Sequence, residues 1–106
     1  MSVILHIETA TPVCSCALSE NGQIIFNRQN REGLSHAVLL GVFVDEAVAF
    51  ARTQQKKIEA IAVSSGPGSY TGLRIGVSEA KGLSYGFGIP LIAIPTPLIM
   101  AQMMVD

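Results

Sequence analysis

Two stretches of this 106-residue chain carry residue types and spacings that invite chemistry. The first is Gly66-Pro67-Gly68-Ser69-Tyr70-Thr71-Gly72-Leu73-Arg74. It follows a strand-like run and opens a helix-like one, the context in which backbone N–H groups cradle a phosphate. It is not a P-loop, because Leu73 and Arg74 follow Gly72 where Lys and Ser or Thr are required. It also misses the dinucleotide fingerprint. Gly66 and Gly68 are in place, but the third glycine falls one residue late, at Gly72, and the acidic residue expected about 20 positions on is missing. The second stretch is Glu8 with the turn Thr9-Ala10-Thr11-Pro12. Glu8 ends a strand at the mouth of a sheet, so it can face a ligand or cap its own turn. Both remain open. Glu8, Thr9, Thr11, Gly66 and Gly68 are therefore the candidates for nucleotide contact, with no firm cofactor site. The plainer role of the glycines is close packing. Gly72, Gly76 and Ala80 recur at i, i+4 and i+8, which flattens one helix face for approach to a sheet or another helix.

Other chemistry finds little support. Only His6 and His36 can act as a base for the serines. His6 lies in a strand, where a packed or hydrogen-bonded histidine is expected. His36 lies in the first turn of a helix and is expected to be exposed. No His-x-x-x-His or His-Glu-x-x-His run offers a metal site. Cys14 and Cys16 point the same way from one strand but splay too far apart for easy bridging. They read as small buried apolar residues. Arg74 and Lys81 read as a solvated helix face.

These residues need elements to hold them. Val3 to Glu8 is an apolar run that predicts a buried strand. Val13 to Ser19 and Gln23 to Gln29 predict two more, joined by Asn21-Gly22, a type I′ hairpin signal. Ser35 caps a predicted helix to about Arg52. Its stripe Leu39, Phe43, Ala47, Phe50 is flanked by a second, Leu40, Val44, Ala51. A helix apolar over most of its circumference is either sandwiched inside the domain or binds a partner. Ile58 to Ser64 predicts a fourth strand, the glycine-rich loop leads a helix to about Gly86, and Ile89 to Ile94 predicts a fifth strand. Thr96 and Pro97 open a last apolar helix, Leu98 to Val105. The chain stops there without a C-terminal signal, so 1–106 is expected to be the N-terminal part of a longer protein whose second domain this chain lacks. The order βββαβαβα implies an α/β fold with a five-stranded mixed sheet and flanking helices, strands four and five parallel to strand one.

Composition narrows the class. Hydrophobic residues make up 49% and charged residues 14%, against about 25% in ordinary domains. Seven basic and eight acidic residues give a net charge of -1, which speaks against a nucleic-acid surface on this chain alone. No apolar run reaches the roughly 18–20 residues of a membrane span. No basic segment precedes the first apolar run, which carries His6 and Glu8, so a cytoplasmic protein is expected.

Several motifs together resemble the bacterial TsaB (YeaZ) family. They are Val3-Ile4-Leu5-His6-Ile7-Glu8-Thr9-Ala10-Thr11, Cys14-Ser15-Cys16-Ala17-Leu18, Ser65 through Gly76, Ala80-Lys81-Gly82-Leu83, and Gly88-Ile89-Pro90-Leu91. The resemblance spans essentially the whole chain. The family's usual opening has Asp where Glu8 stands, whereas the related catalytic subunit TsaD has Glu there. The resemblance implies an actin-like ATPase (ribonuclease H-like) domain. It implies a role in the N6-threonylcarbamoyl modification of adenosine 37 in tRNA, as a non-catalytic subunit that binds and stabilises TsaD. Self-pairing into a homodimer and a TsaE-type ATPase in the larger complex are further implications. The metal-binding histidines of TsaD fall at about Thr96 and Met100 here, which implies no metal site. Partner contact is expected through Leu39, Phe43, Val44, Phe50, Gly72, Gly76 and Ala80. The alternatives are a glycoprotease-like metal- or nucleotide-dependent enzyme, which metal content tests, and a sugar- or acyl-kinase-like half-domain, which ATP titration tests.

Overall fold

A computed structural model describes residues 3–9, 14–30, 36–64 and 70–94. Strands β1 (Val3–Glu8), β2 (Cys14–Glu20) and β3 (Gln23–Asn30) lead into helix α1 (His36–Thr53). Then follow β4 (Ile58–Ser64), α2 (Tyr70–Phe87) and β5 (Leu91–Ile94). The sheet has the order β3-β2-β1-β4-β5. β1 pairs antiparallel with β2 and parallel with β4, and β5 is parallel to β4. The expected mixed α/β sheet is thus formed. The helix expected at Leu98 to Val105 and the caps at Ser35 and Thr96 lie outside the described residues.

The β2–β3 turn forms as Asn21-Gly22 predicts, with φ of 53° and 85°. The fifth strand is shorter than expected. Ile89 is consumed in ending α2: its N–H donates to the Ser84 carbonyl, while Gly88, at φ 66°, donates to Tyr85. Pro90 has no N–H to give the ladder, yet its carbonyl accepts from Ile61 at 3.0 Å. α1 ends on the same motif. Lys56 N–H donates to the Ala51 carbonyl and Gln55 to Arg52, with Gln55 at φ 56° where glycine is usual.

Period-two alternation sorts the strand residues onto two faces. On one face Leu5 sits between Leu18 and Ile61, and Ile7 between Cys16 and Val63. All six are buried at 2% exposure or less. Phe26, opposite Leu18, brings its ring to 5.2 Å from Phe50 of α1. Arg28, two residues on, pairs with Glu46 of α1 at 3.5 Å. Both described helices therefore cover this face, α1 over β2 and β3, α2 over β4. The other face carries His6, Glu8, Ser15, Ala17, Ser19, Ala62 and Ser64, which are also buried.

Candidate functional site

The first candidate site lies at the C-terminal end of β1. Glu8 is 3% exposed, opposite Ser15 of β2, while Ser64 follows Val63, the partner of Ile7 on β4. The sheet thus gathers one carboxylate and two hydroxyls just before the glycine-rich loop. Such a row can orient a polar ligand from the end of a parallel sheet. Thr9 has a different task. It is 1% exposed, and a Cβ built on Gly76 of α2 would overlap its Oγ1 and come within 3.5 Å of Ile7. Gly76 is what lets α2 settle on the end of β1. Thr11, Gly66 and Gly68 lie outside the described residues.

Two other sequence candidates for chemistry resolve into structure. His6 is buried as expected, with Nε2 at 2.7 Å from the Ser19 hydroxyl. Cys14 and Cys16 are buried thiols that form no disulfide. Burial raises both thiol pKa values, and that of Cys16 is pushed up to about 12 by burial first, then by the charges of Cys14 and Glu79. Neither is a nucleophile at neutral pH.

The second candidate site is the outer surface of the two helices. Here the expected contact residues divide. Leu39, Phe43 and Phe50 are half-buried and flank the core. Val44 and Ala80, expected at a partner surface, are instead 2% and 0% exposed. The correction has a simple cause: Leu40, Val44, Ala47 and Ala51 form the α1 stripe that meets the sheet, and Ala80 lies one turn beyond Gly76 on the face of α2 that does the same. Gly76 is likewise spent on Thr9 and Ile7. Gly72 lies in the first turn of α2.

What the two stripes missed is a third. Val38 is 65% exposed and Val42 49%, with exposed Ala49 further along the same side of α1. The signal is present in the sequence as apolar residues at i, i+4 and i+11, with exposed Asp45 at i+7 on the same side. On α2, Tyr85 is 91% exposed. Among the described residues no helix is long and apolar enough to cross a membrane.

Comparison with known proteins gives this geometry a context. The model of the TsaD family, tRNA N6-adenosine threonylcarbamoyltransferase, matches residues 30–105. The fold is therefore a glycoprotease-type, actin-like domain of that group. The chain is 39% identical over 101 residues to the tRNA threonylcarbamoyladenosine biosynthesis protein TsaB of Escherichia coli, covering 93% of this chain and 42% of the relative. The protein of that name from Haemophilus influenzae is 32% identical over 99 residues, with the same two coverages. YeaZ from Pseudomonas aeruginosa superposes with a TM-score of 0.76 at 28% identity, over 90% of this chain and 44% of that one. The chain belongs to the TsaB (YeaZ) family. It spans less than half the length of these relatives.

Proposed function

We propose that this chain acts in tRNA threonylcarbamoyladenosine biosynthesis as the N-terminal actin-like domain of a TsaB-type subunit, cytoplasmic and non-catalytic. Its task is to dock and stabilise a TsaD-type catalytic subunit through the outer surface of α1 and α2. The observation that carries this is the exposure of Val38 and Val42. α1 already meets the sheet with Leu40, Val44, Ala47 and Ala51, and among the described residues nothing covers the outer valines. Leu39 and Phe43, half-buried beside them, extend the apolar strip. The same strip supports self-pairing when the catalytic subunit is missing. A TsaE-type ATPase belongs to the proposed assembly by family likeness alone.

The test replaces Val38→Asp together with Val42→Asp. Both positions face solvent, so the fold should keep its stability within about 0.5 kcal/mol. Capture of the catalytic subunit is expected to fall by at least roughly tenfold, as for loss of an apolar anchor. Unchanged capture would remove α1 from the contact.

A further inference from the structure

At the end of the sheet opposite Glu8 and Thr9, a groove of about 190 Å³ opens between the last turns of α1 and α2 and the start of β4. Its floor is apolar. Ala51 and Ile58 are buried, Val48 and Ile89 are half-buried, and Phe87, 46% exposed, stands at its side. Its rim is cationic. Arg52, Lys56 and Lys57 line it, three of the seven basic residues in the whole chain, and among the described residues no carboxylate does. Lys56 is taken by Glu20, at 2.8 Å. Arg52 and Lys57 are exposed and make no ion pair among the described residues.

Two features of this groove decide what it can hold. Small-molecule sites usually measure about 300–1,000 Å³, so this one is undersized for a cofactor and suited to one large apolar side chain. A cation near a helix C-terminus is ordinary, and Arg52 in the last turn of α1 fills that role. Lys57 lies beyond the helix and, among the described residues, pairs with no acid. Uncompensated cations around an apolar floor are complementary to a carboxylate-rich segment with an apolar anchor. A nucleic-acid backbone would satisfy the rim and leave the floor empty.

We propose that this groove docks an acidic segment of a partner protein, which seats one aromatic or large aliphatic side chain on Ala51 and Ile58 and sets its carboxylates against Arg52 and Lys57. The site is separate from the outer strip of Val38 and Val42 and does not depend on the proposed tRNA-modification role.

The experiment uses the full-length protein and three fluorescent probes read by anisotropy. They are a short peptide alternating Glu and Asp with Phe, the same peptide with Lys at every acidic position, and a single-stranded RNA of similar length. The acidic peptide is expected to bind saturably, and the Lys peptide to bind at least roughly tenfold more weakly. Phe87→Ala, and separately Arg52→Glu with Lys57→Glu, should each weaken the acidic peptide by about tenfold or more. All three positions are exposed, so an unchanged melting temperature shows that the loss is local. Val38→Asp with Val42→Asp should leave this binding intact, which keeps it distinct from the catalytic-subunit contact. The proposal is overturned if the acidic peptide does not bind, if the Lys peptide binds as well, if only the RNA binds, or if the groove variants bind like the parent.

Discussion

One face of the sheet carries Leu5, Ile7, Cys16, Leu18, Ile61 and Val63; the other carries His6, Glu8, Ala17, Ser19, Ala62 and Ser64. Both sets are buried, but they hold the fold in different ways. The first is large and apolar, and it meets α1 and α2 with the hydrophobic effect as its main source of stability. The second is small and polar, so it contributes less area and must satisfy its polar groups as it buries them. The two candidate sites divide along the same line. The carboxylate and hydroxyls at the end of β1 belong to the polar face. The exposed valines belong to the back of a helix that the apolar face holds in place.

Four changes break or sharpen this contrast, beginning with the largest effect. Cys16 sits on the apolar face with its thiol pushed up to about 12 from a usual 9. The folded state thus holds its proton where the unfolded chain releases it. The resulting stability is complete below pH 9 and is lost as pH rises toward 12, at up to roughly 1.4 kcal/mol per pH unit. Urea titrations across that window should show a steeper fall for the parent than for Cys16→Ala. Leu5→Ala empties a fully buried position on the same face and is expected to cost about 3 kcal/mol in chemical denaturation. Gly76→Ala drives a methyl into Thr9 and should cost about 2 kcal/mol, with part of the loss recovered when Thr9→Ala is added. A double-mutant cycle measures that recovery. On the polar face, Ser19→Ala removes the partner of His6 Nε2 and should cost only about 1 kcal/mol by the same denaturation assay. If Ser19→Ala proved as damaging as Leu5→Ala, the contrast between the faces would fail.

Much of this was legible in the chain. Asn21-Gly22 announced the hairpin because few residue pairs accept two positive φ angles. The strands of the central sheet showed as apolar runs, and β4 forms over the span its pattern predicts. The buried role of His6 followed from its place in a strand. The orientation of α1 did not show. Its stripes at Leu39 and Leu40 are both apolar, and periodicity cannot choose between two such faces. Only the sheet beneath decides, by taking Leu40, Val44, Ala47 and Ala51. Gly76 showed as a small residue in a flat face, but its neighbour Thr9 lies 67 positions away and no local pattern links them. The cationic groove was equally hidden, since Arg52 and Lys57 meet Phe87 and Ile89 only when two helix ends converge.

The most direct test of the proposed role is light scattering after size exclusion, with the full-length protein alone and mixed with the TsaD-type subunit of the same organism. A dimer that converts to a one-to-one heterocomplex, and fails to do so once Val38→Asp and Val42→Asp are present, is the predicted result. Two species that elute independently, or a heterocomplex indifferent to those substitutions, would contradict docking through the outer face of α1.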